Sequence, residues 1–371
     1  MKVLWLTNIP SPYRVDFFNE LGKQCELTVL FEKRAAKGRD NSWKKFDIKN
    51  FKAVFLKGIS CGEAEAFCPS VVGHLSSEKY DKIVVTNYSD PTGFLAVSVM
   101  RMKKIPYIIE SDGGFAGSGK GFRERAKKWV FKEAELCFST SHVHDDYYEK
   151  YGVAPEKIAR YPFTSLRSSD VLDKPVTNEQ KQELRAKLGI SEQKVIVSVG
   201  QFIRRKGFDV LIDAMAGLDE STGCYIIGGE PTEEYIKQVD DFGLNNVHFV
   251  GFKAKDDLAE YYMAADLFVL PTREDIWGLV VNEAMAKGLP VITTDRCISG
   301  ITLIASSDLG KIVPVDDTDA LTYAIKETLS TLNKELNEGV LRAIRSYTVE
   351  KMAKRHIEIW SKNEEIDFET R

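Results

Sequence analysis

Short apolar runs rich in Val, Ile, Leu and Phe recur along the chain, with stretches of helical spacing between them. In the first half the runs are Val3–Leu6, Leu27–Phe31, Ala53–Leu56, Ile83–Val85, Tyr107–Ile109 and Leu136–Phe138; helix-like stretches include Asp16–Leu21 and Gly93–Met102. Runs that are apolar on both faces and alternate with helices predict a parallel sheet covered on both sides, because neither face meets water. The second half repeats the pattern. Strands are expected at Val195–Val199, Cys224–Ile227, His248–Val250, Leu267–Leu270 and Pro290–Thr293, and helices at Phe208–Met215, Thr232–Phe242, Lys255–Ala264 and Leu279–Lys287. Residues 167–190 are polar and carry no strand signal; they read as a linker and a leading helix that stops at Gly189. After the last strand region near Ile312, Leu341–Trp360 reads as one long helix.

The pattern therefore predicts an α/β protein of two doubly wound, Rossmann-like domains, 1–170 and 185–349. A length of 371 residues suits two such domains. Ligands of these sheets sit beyond the carboxyl ends of the strands, so a functional cleft is expected between the domains.

Composition narrows the function. A hydrophobic share of 43% beside a charged share of 29% is that of a globular protein and argues against disorder. No apolar run approaches the roughly 18–20 residues of a membrane span, and the start reads as a first strand rather than a signal peptide. The net charge of −4 argues against nucleic acid as a partner. Residues 1–166 carry 26 Lys and Arg against 20 Asp and Glu, a net of +6, and the remainder 25 against 35, a net of −10. That asymmetry predicts different partners for the two domains. Six scattered cysteines without a C-x-x-C pair read as buried free thiols in a reducing compartment. The five histidines show no metal-ligand spacing, and His142-x-His144 reads as the start of a surface helix.

The densest chemistry follows the strand that ends at Pro271. Asp275 and Glu283 flank the start of a helix opening at Gly278, where the N–H groups of Gly278, Leu279 and Val280 would attract a diphosphate. The alternative is that Asp275 only caps the helix and Glu283 is solvated. Earlier, a strand runs into Gly200-Gln201 and the basic loop Arg204-Arg205-Lys206-Gly207. Fixed cations there would stabilise a leaving nucleoside diphosphate, whose charge grows as its bond to the sugar breaks. A solvated basic loop is the plainer reading.

Asp275-x7-Glu283, followed by Ala284-Met285-Ala286-x-Gly288-x-Pro290-Val291-Ile292, resembles the E-x7-E signature of family 4 retaining glycosyltransferases with the GT-B fold. The resemblance implies that Glu283 holds the ribose hydroxyls of a nucleotide-sugar donor and that Asp275, in place of the usual Glu, contacts the transferred sugar. Lys206-Gly207 matches the family's G-R-x4-K-G, with Gln201 where an Arg is usual, so Arg205 or Arg204 would assist Lys206 on the diphosphate. Gly228-Gly229-Glu230 looks like the glycine turn near the donor, and Val250-Gly251-Phe252 like the segment that meets the nucleobase, uridine being the family's expectation. Many relatives carry a cleft-facing His near Ile109–Phe115; here Asp112 or Glu110 would substitute, unless Asp112-Gly113 is simply a turn. Asn8–Arg14, stiffened by Pro10 and Pro12, occupies the place of the family's first loop without a matching glycine pair.

The resemblance further implies a final helix, about 350–371, that returns to the first domain, no metal requirement, and a glycan or lipid-linked glycan as acceptor. Residues 120–132 form a basic amphipathic stretch with Phe122, Ala126, Trp129 and Val130 on one face. It reads either as an ordinary helix with its apolar face in the core or as a peripheral contact with the cytoplasmic face of the inner membrane. A cytoplasmic, metal-independent transferase is the expectation. A GT-B nucleotide-sugar epimerase or phosphorylase and a non-catalytic nucleotide-sugar binding module are the alternatives; no G-x-G-x-x-G follows the first strand to support a dinucleotide site.

Overall fold

The first strand, β1 (Lys2–Thr7), buries every residue but its first, as a central strand of a covered sheet must. The computed structural model describes residues 1–35, 47–117, 119, 121–304 and 308–361. Two compact units emerge: Met1–Ser165 joined by the segment from Thr348, and Leu166–Tyr347.

In the first unit β1 is followed by α1 (Pro12–Leu21), β2 (Glu26–Phe31), β3 (Lys52–Phe55) and a small antiparallel hairpin, β4 (Ile59–Ser60) with β5 (Ala66–Phe67). Then come β6 (Lys82–Val85), α2 (Pro91–Met102), β7 (Ile108–Glu110), α3 (Phe122–Lys132), β8 (Leu136–Ser139), α4 (His142–Lys150) and β9 (Ile158–Arg160). The parallel sheet has the order β3-β2-β1-β6-β7-β8-β9, so the direction of winding reverses between β1 and β6.

The second unit opens with α5 (Asn178–Leu188). Thr177 and Gln180 close a capping box at its start, and Gly189 ends it in the left-handed conformation at φ 72°. There follow β10 (Lys194–Val199), α6 (Phe208–Met215), β11 (Thr222–Ile227), α7 (Glu233–Asp241), β12 (Val247–Val250), α8 (Lys255–Ala264) and β13 (Leu267–Leu270). The unit closes with α9 (Leu279–Met285), β14 (Val291–Thr294), α10 (Ile298–Leu303), β15 (Gly310–Val313), α11 (Thr318–Thr331) and α12 (Lys334–Ile344). Its parallel sheet runs β12-β11-β10-β13-β14-β15 and reverses between β10 and β13. Two doubly wound α/β units are thus what the periodicity predicts.

Some boundaries differ, each for a local reason. The expected single helix Leu341–Trp360 is two helices, α12 and α13 (Val349–Ser361). Tyr347 N–H turns back to Ile344 O, and the Thr348 hydroxyl accepts the Lys351 N–H 3.4 Å away, so a fresh N-cap interrupts the run. The part of the expected final helix beyond residue 361 lies outside the described residues. Pro12 stands at the first helical position of α1, where its missing N–H costs nothing, so Tyr13 and Arg14 are helical rather than part of the expected loop. Pro290 precedes β14 rather than opening it.

The apolar face expected in the core along 120–132 is only partly there. Val130 and Phe131 are buried in α3, whereas Phe122 is 77% exposed and Trp129 38%; Lys120 lies outside the described residues. His144 is fully buried instead of lying on the surface. Among the cysteines Cys68, Cys137, Cys224 and Cys297 are buried free thiols and Cys25 is half-buried, but Cys61 is exposed.

α13 packs on the first unit. His356 lies 4.3 Å from the Phe138 ring and 4.9 Å from Phe17, centre to centre, and Trp360 stands edge-on to Trp5.

Candidate active site

In the second unit the loops leaving β10 and β13 diverge at the point where the strand order reverses, the place where doubly wound sheets hold ligands. The β10 loop winds into a short 3-10 turn, Arg204–Lys206, and ends at Gly207 with φ 69°. A Cβ on Gly207 would stand 2.0 Å from the Pro271 carbonyl oxygen, so glycine lets this loop press against the end of β13. The aliphatic part of Lys206 lies along Gly200, and its ammonium is hydrogen-bonded to Asp275 Oδ2. Arg205 donates from Nη1 to Glu274 O at 2.7 Å, and the same nitrogen is 3.4 Å from Asp275 Oδ1.

Asp275 is buried and its backbone is zipped to the neighbouring loop: its N–H donates to Arg296 O at 2.8 Å and its carbonyl accepts from Ile298 N–H at 3.2 Å. Three residues on, Gly278 (φ 92°) starts α9, where Leu279 and Val280 are half-buried. α9 stops at Met285, short of the expected Lys287, and Gly288 at φ 79° carries the turn into β14. Glu283 is half-buried on this helix and accepts from the Tyr262 hydroxyl at 3.3 Å. Burial first, and then the Glu283 carboxylate, push the Tyr262 hydroxyl far above its ordinary range.

The third loop joins through backbone. Gly228 N–H donates to Val250 O at 3.2 Å, and a Cβ on Gly228 would meet Gly200 O at 1.7 Å. Gly229, at φ 122°, faces open space, and Glu230 and Phe252 are exposed beside it. Arg205, Lys206 and Asp275 are therefore in direct contact, and Gly228 ties the Gly229 turn and Val250 to the same edge. Gln201 and Arg204 are exposed there.

Asp112 belongs to the first unit, just past the end of β7. Its Oδ2 accepts from the Tyr13 hydroxyl at 2.8 Å and its Oδ1 from Arg14 Nη2. Glu110 is completely enclosed and cannot present itself to a ligand, which removes it as an alternative to Asp112. Arg14 Nη1 and the Tyr161 hydroxyl donate to Glu110 Oε1, and His356 Nε2 lies 3.2 Å from Oε2. Burial alone would raise the Glu110 carboxyl, but Arg14 and then His356 outweigh it and hold it below the usual range.

Ser111, between the two acids, pairs with His144 Nε2 at 3.0 Å. His144 is no general base for that serine. Thr140 N–H donates to its Nδ1 at 3.2 Å, so the ring proton sits on Nε2 and points at Ser111; burial pushes its pKa down to about 3.

Tyr13, Arg14, Tyr262 and His356 carry no role in the sequence reading. Their partners are 99, 96, 21 and 246 residues away, beyond any local pattern.

Comparison with known proteins bears on the family and the fold. Residues 180–339 match the family model described as glycosyl transferases group 1. The chain is 26% identical over 361 residues to TuaC of Bacillus subtilis, described as a teichuronic acid biosynthesis glycosyltransferase, covering 88% of each chain. It is 29% identical over 225 residues to the lipopolysaccharide glucosyltransferase WaaG of Escherichia coli, covering 59% of this chain and 57% of that one. The crystal structure of Anabaena HepE in complex with UDP and glucose superimposes with a TM-score of 0.72 at 19% identity, over 98% of this chain and 100% of the other. Residues 180–339 thus form a glycosyltransferase group 1 domain, and the chain has the GT-B fold.

Proposed function

We propose that this glycosyltransferase retains anomeric configuration and moves a sugar from a nucleotide-diphosphate sugar, a UDP-sugar, to a glycan or lipid-linked glycan acceptor. The observation that carries the reading is the contact between Lys206 and Asp275 at the strand-order reversal of the second unit. The two neutralise each other. When the diphosphate arrives, Lys206 and Arg205 turn their charge to it, and Asp275 is released to accept from a sugar hydroxyl. Glu283 orients the ribose, the Gly229 turn and Glu230 line the phosphates, and Val250 and Phe252 flank the base.

Chemistry follows from those positions. The bond between the sugar C1 and the diphosphate oxygen breaks, and the acceptor oxygen bonds C1 on the same face. The acceptor's proton passes to the departing phosphate oxygen, so no side-chain base is needed. Fixed cations stabilise the leaving group in the role a metal would otherwise take. Asp112 is assigned to the acceptor side in the first unit. The basic, partly exposed helix α3 is assigned to the cytoplasmic membrane surface, where a lipid-linked acceptor would be met.

A thermal-shift panel of nucleotide sugars identifies the donor, because ligand binding to the native state raises the melting temperature. With that donor, Glu283→Ala is expected to lower turnover by orders of magnitude while the melting temperature of the free protein stays within a few degrees. A variant as fast as the parent overturns the assignment. Conversion of the donor sugar without transfer, seen in product analysis, would instead make the protein an epimerase.

A further inference from the structure

Asp112, assigned above to the acceptor side, lies in the first unit, outside residues 180–339, and its placement depends on a buried cluster. Its side chain is 29% exposed, while Arg14 behind it is 4% and Glu110 0% exposed. Arg14 stands between the two acids with one guanidinium nitrogen on each, the fork geometry for which arginine is suited and lysine is not. The Tyr13 hydroxyl takes the other Asp112 oxygen at 2.8 Å. The Tyr13 and Phe163 rings lie 5.7 and 5.6 Å from the guanidinium carbon. From the far side Glu110 is braced by Tyr161 and by His356 of α13, whose Nδ1 is 2.8 Å from Met352 O.

We infer that Arg14 is a positioning residue for the transfer reaction: it fixes the Asp112 carboxylate in one orientation, with both oxygens held from behind and their remaining lone pairs toward solvent. This rests on the assignment of Asp112 to the acceptor side. A carboxylate on a turn after a strand, beside Gly113, is otherwise free to rotate about two bonds, and each misplaced rotamer costs rate. Arg14 and Tyr13 are adjacent in the first turn of α1, so one helix start delivers both donors.

The test uses slow hydrolysis of the UDP-sugar chosen by the thermal-shift panel, in which Asp112 orients the attacking water as it would the acceptor oxygen, so no acceptor need be known. Arg14→Lys is expected to lower kcat at least tenfold with the donor KM within about twofold, because donor binding lies in the second unit. Arg14→Ala, crystallised, is expected to show Asp112 in a changed or divided orientation, a readout independent of activity. His356→Asn disturbs the same cluster on the side away from Asp112; it is expected to lower the melting temperature and leave kcat within about threefold. If Asp112 keeps its orientation in Arg14→Ala, or if Arg14→Lys and His356→Asn lose rate equally, Arg14 serves the fold alone and the inference falls. A full rate in Asp112→Asn would overturn the inference from the other end, by removing the acceptor-side assignment on which it rests, whatever orientation Asp112 takes in Arg14→Ala.

Discussion

Lys206 and Asp275 hold each other, and on the proposed reading this pairing sets an energetic cost for donor binding. The ammonium is engaged by a buried carboxylate, so a diphosphate docking as proposed would have to compete for it. Asp275→Asn removes the competitor but also the acceptor for a sugar hydroxyl. The expected outcome is several-fold tighter binding of UDP alone, measured by calorimetry, together with at least tenfold slower sugar transfer; weaker UDP binding would show that Asp275 supports the cation rather than restraining it. Removing one oriented charge of this kind typically costs about 10²–10³ in rate. Lys206 and Glu283 could be singled out in the sequence because each belongs to a run of neighbours with its own grammar. Arg14 could not, since its meaning depends on two acids nearly a hundred residues away, and a buried guanidinium looks in sequence like any basic residue of an amphipathic helix.

Elements were legible where burial is two-sided. Central strands such as β1, β2 and β13 are almost wholly buried, so their apolar runs leave little choice. The short hairpin β4–β5 and the edge strand β15 carry weaker patterns, and α12 and α13 merge in sequence because a helical period continues across the turn at Tyr347.

Helix α3 shows how an amphipathic face can be misread: the face is real, yet Phe122 and Trp129 point outward. Trp129 stacks near Phe94 of α2, ring centres 5.3 Å apart, and Arg101 lies 4.1 Å over it. Exposed aromatic rings ringed by cations suit the headgroup region of an anionic bilayer. Co-sedimentation with vesicles of phosphatidylglycerol and phosphatidylcholine is expected to capture the protein, and Phe122→Ser with Trp129→Ser to reduce capture at least fivefold. Equal capture of the double variant, or of neutral vesicles, would count against the membrane assignment.

At the scale of the molecule, stability should depend on pH through acids that the proposed chemistry does not use. Burial, then Asp90, pushes the Glu32 carboxyl up to about 9, and burial pushes Asp90 to about 6; the two lie where β2 and the start of α2 meet the hairpin, Glu32 accepting from Ala66 N–H at 2.8 Å. Both folded values exceed the ordinary carboxylate range, so their contribution is complete at acid pH and is lost as pH rises toward 9. His144 has the opposite sign: its lowered value means stability present above its ordinary range and lost as pH falls toward 3. The melting temperature is expected to drop between pH 6 and 9, and Glu32→Gln to flatten that drop; an unchanged slope would assign the loss elsewhere.

The order of the chain in the two units carries one more consequence. The first unit begins the chain, yet α13 comes after the whole of the second unit has been made. During synthesis the rings of Trp5, Phe17 and Phe138 wait for His356 and Trp360, although all seven strands of the first sheet are made by Arg160. The nascent first unit thus carries a complete sheet with an open aromatic face until α13 emerges, and that face is the part that would call on a chaperone.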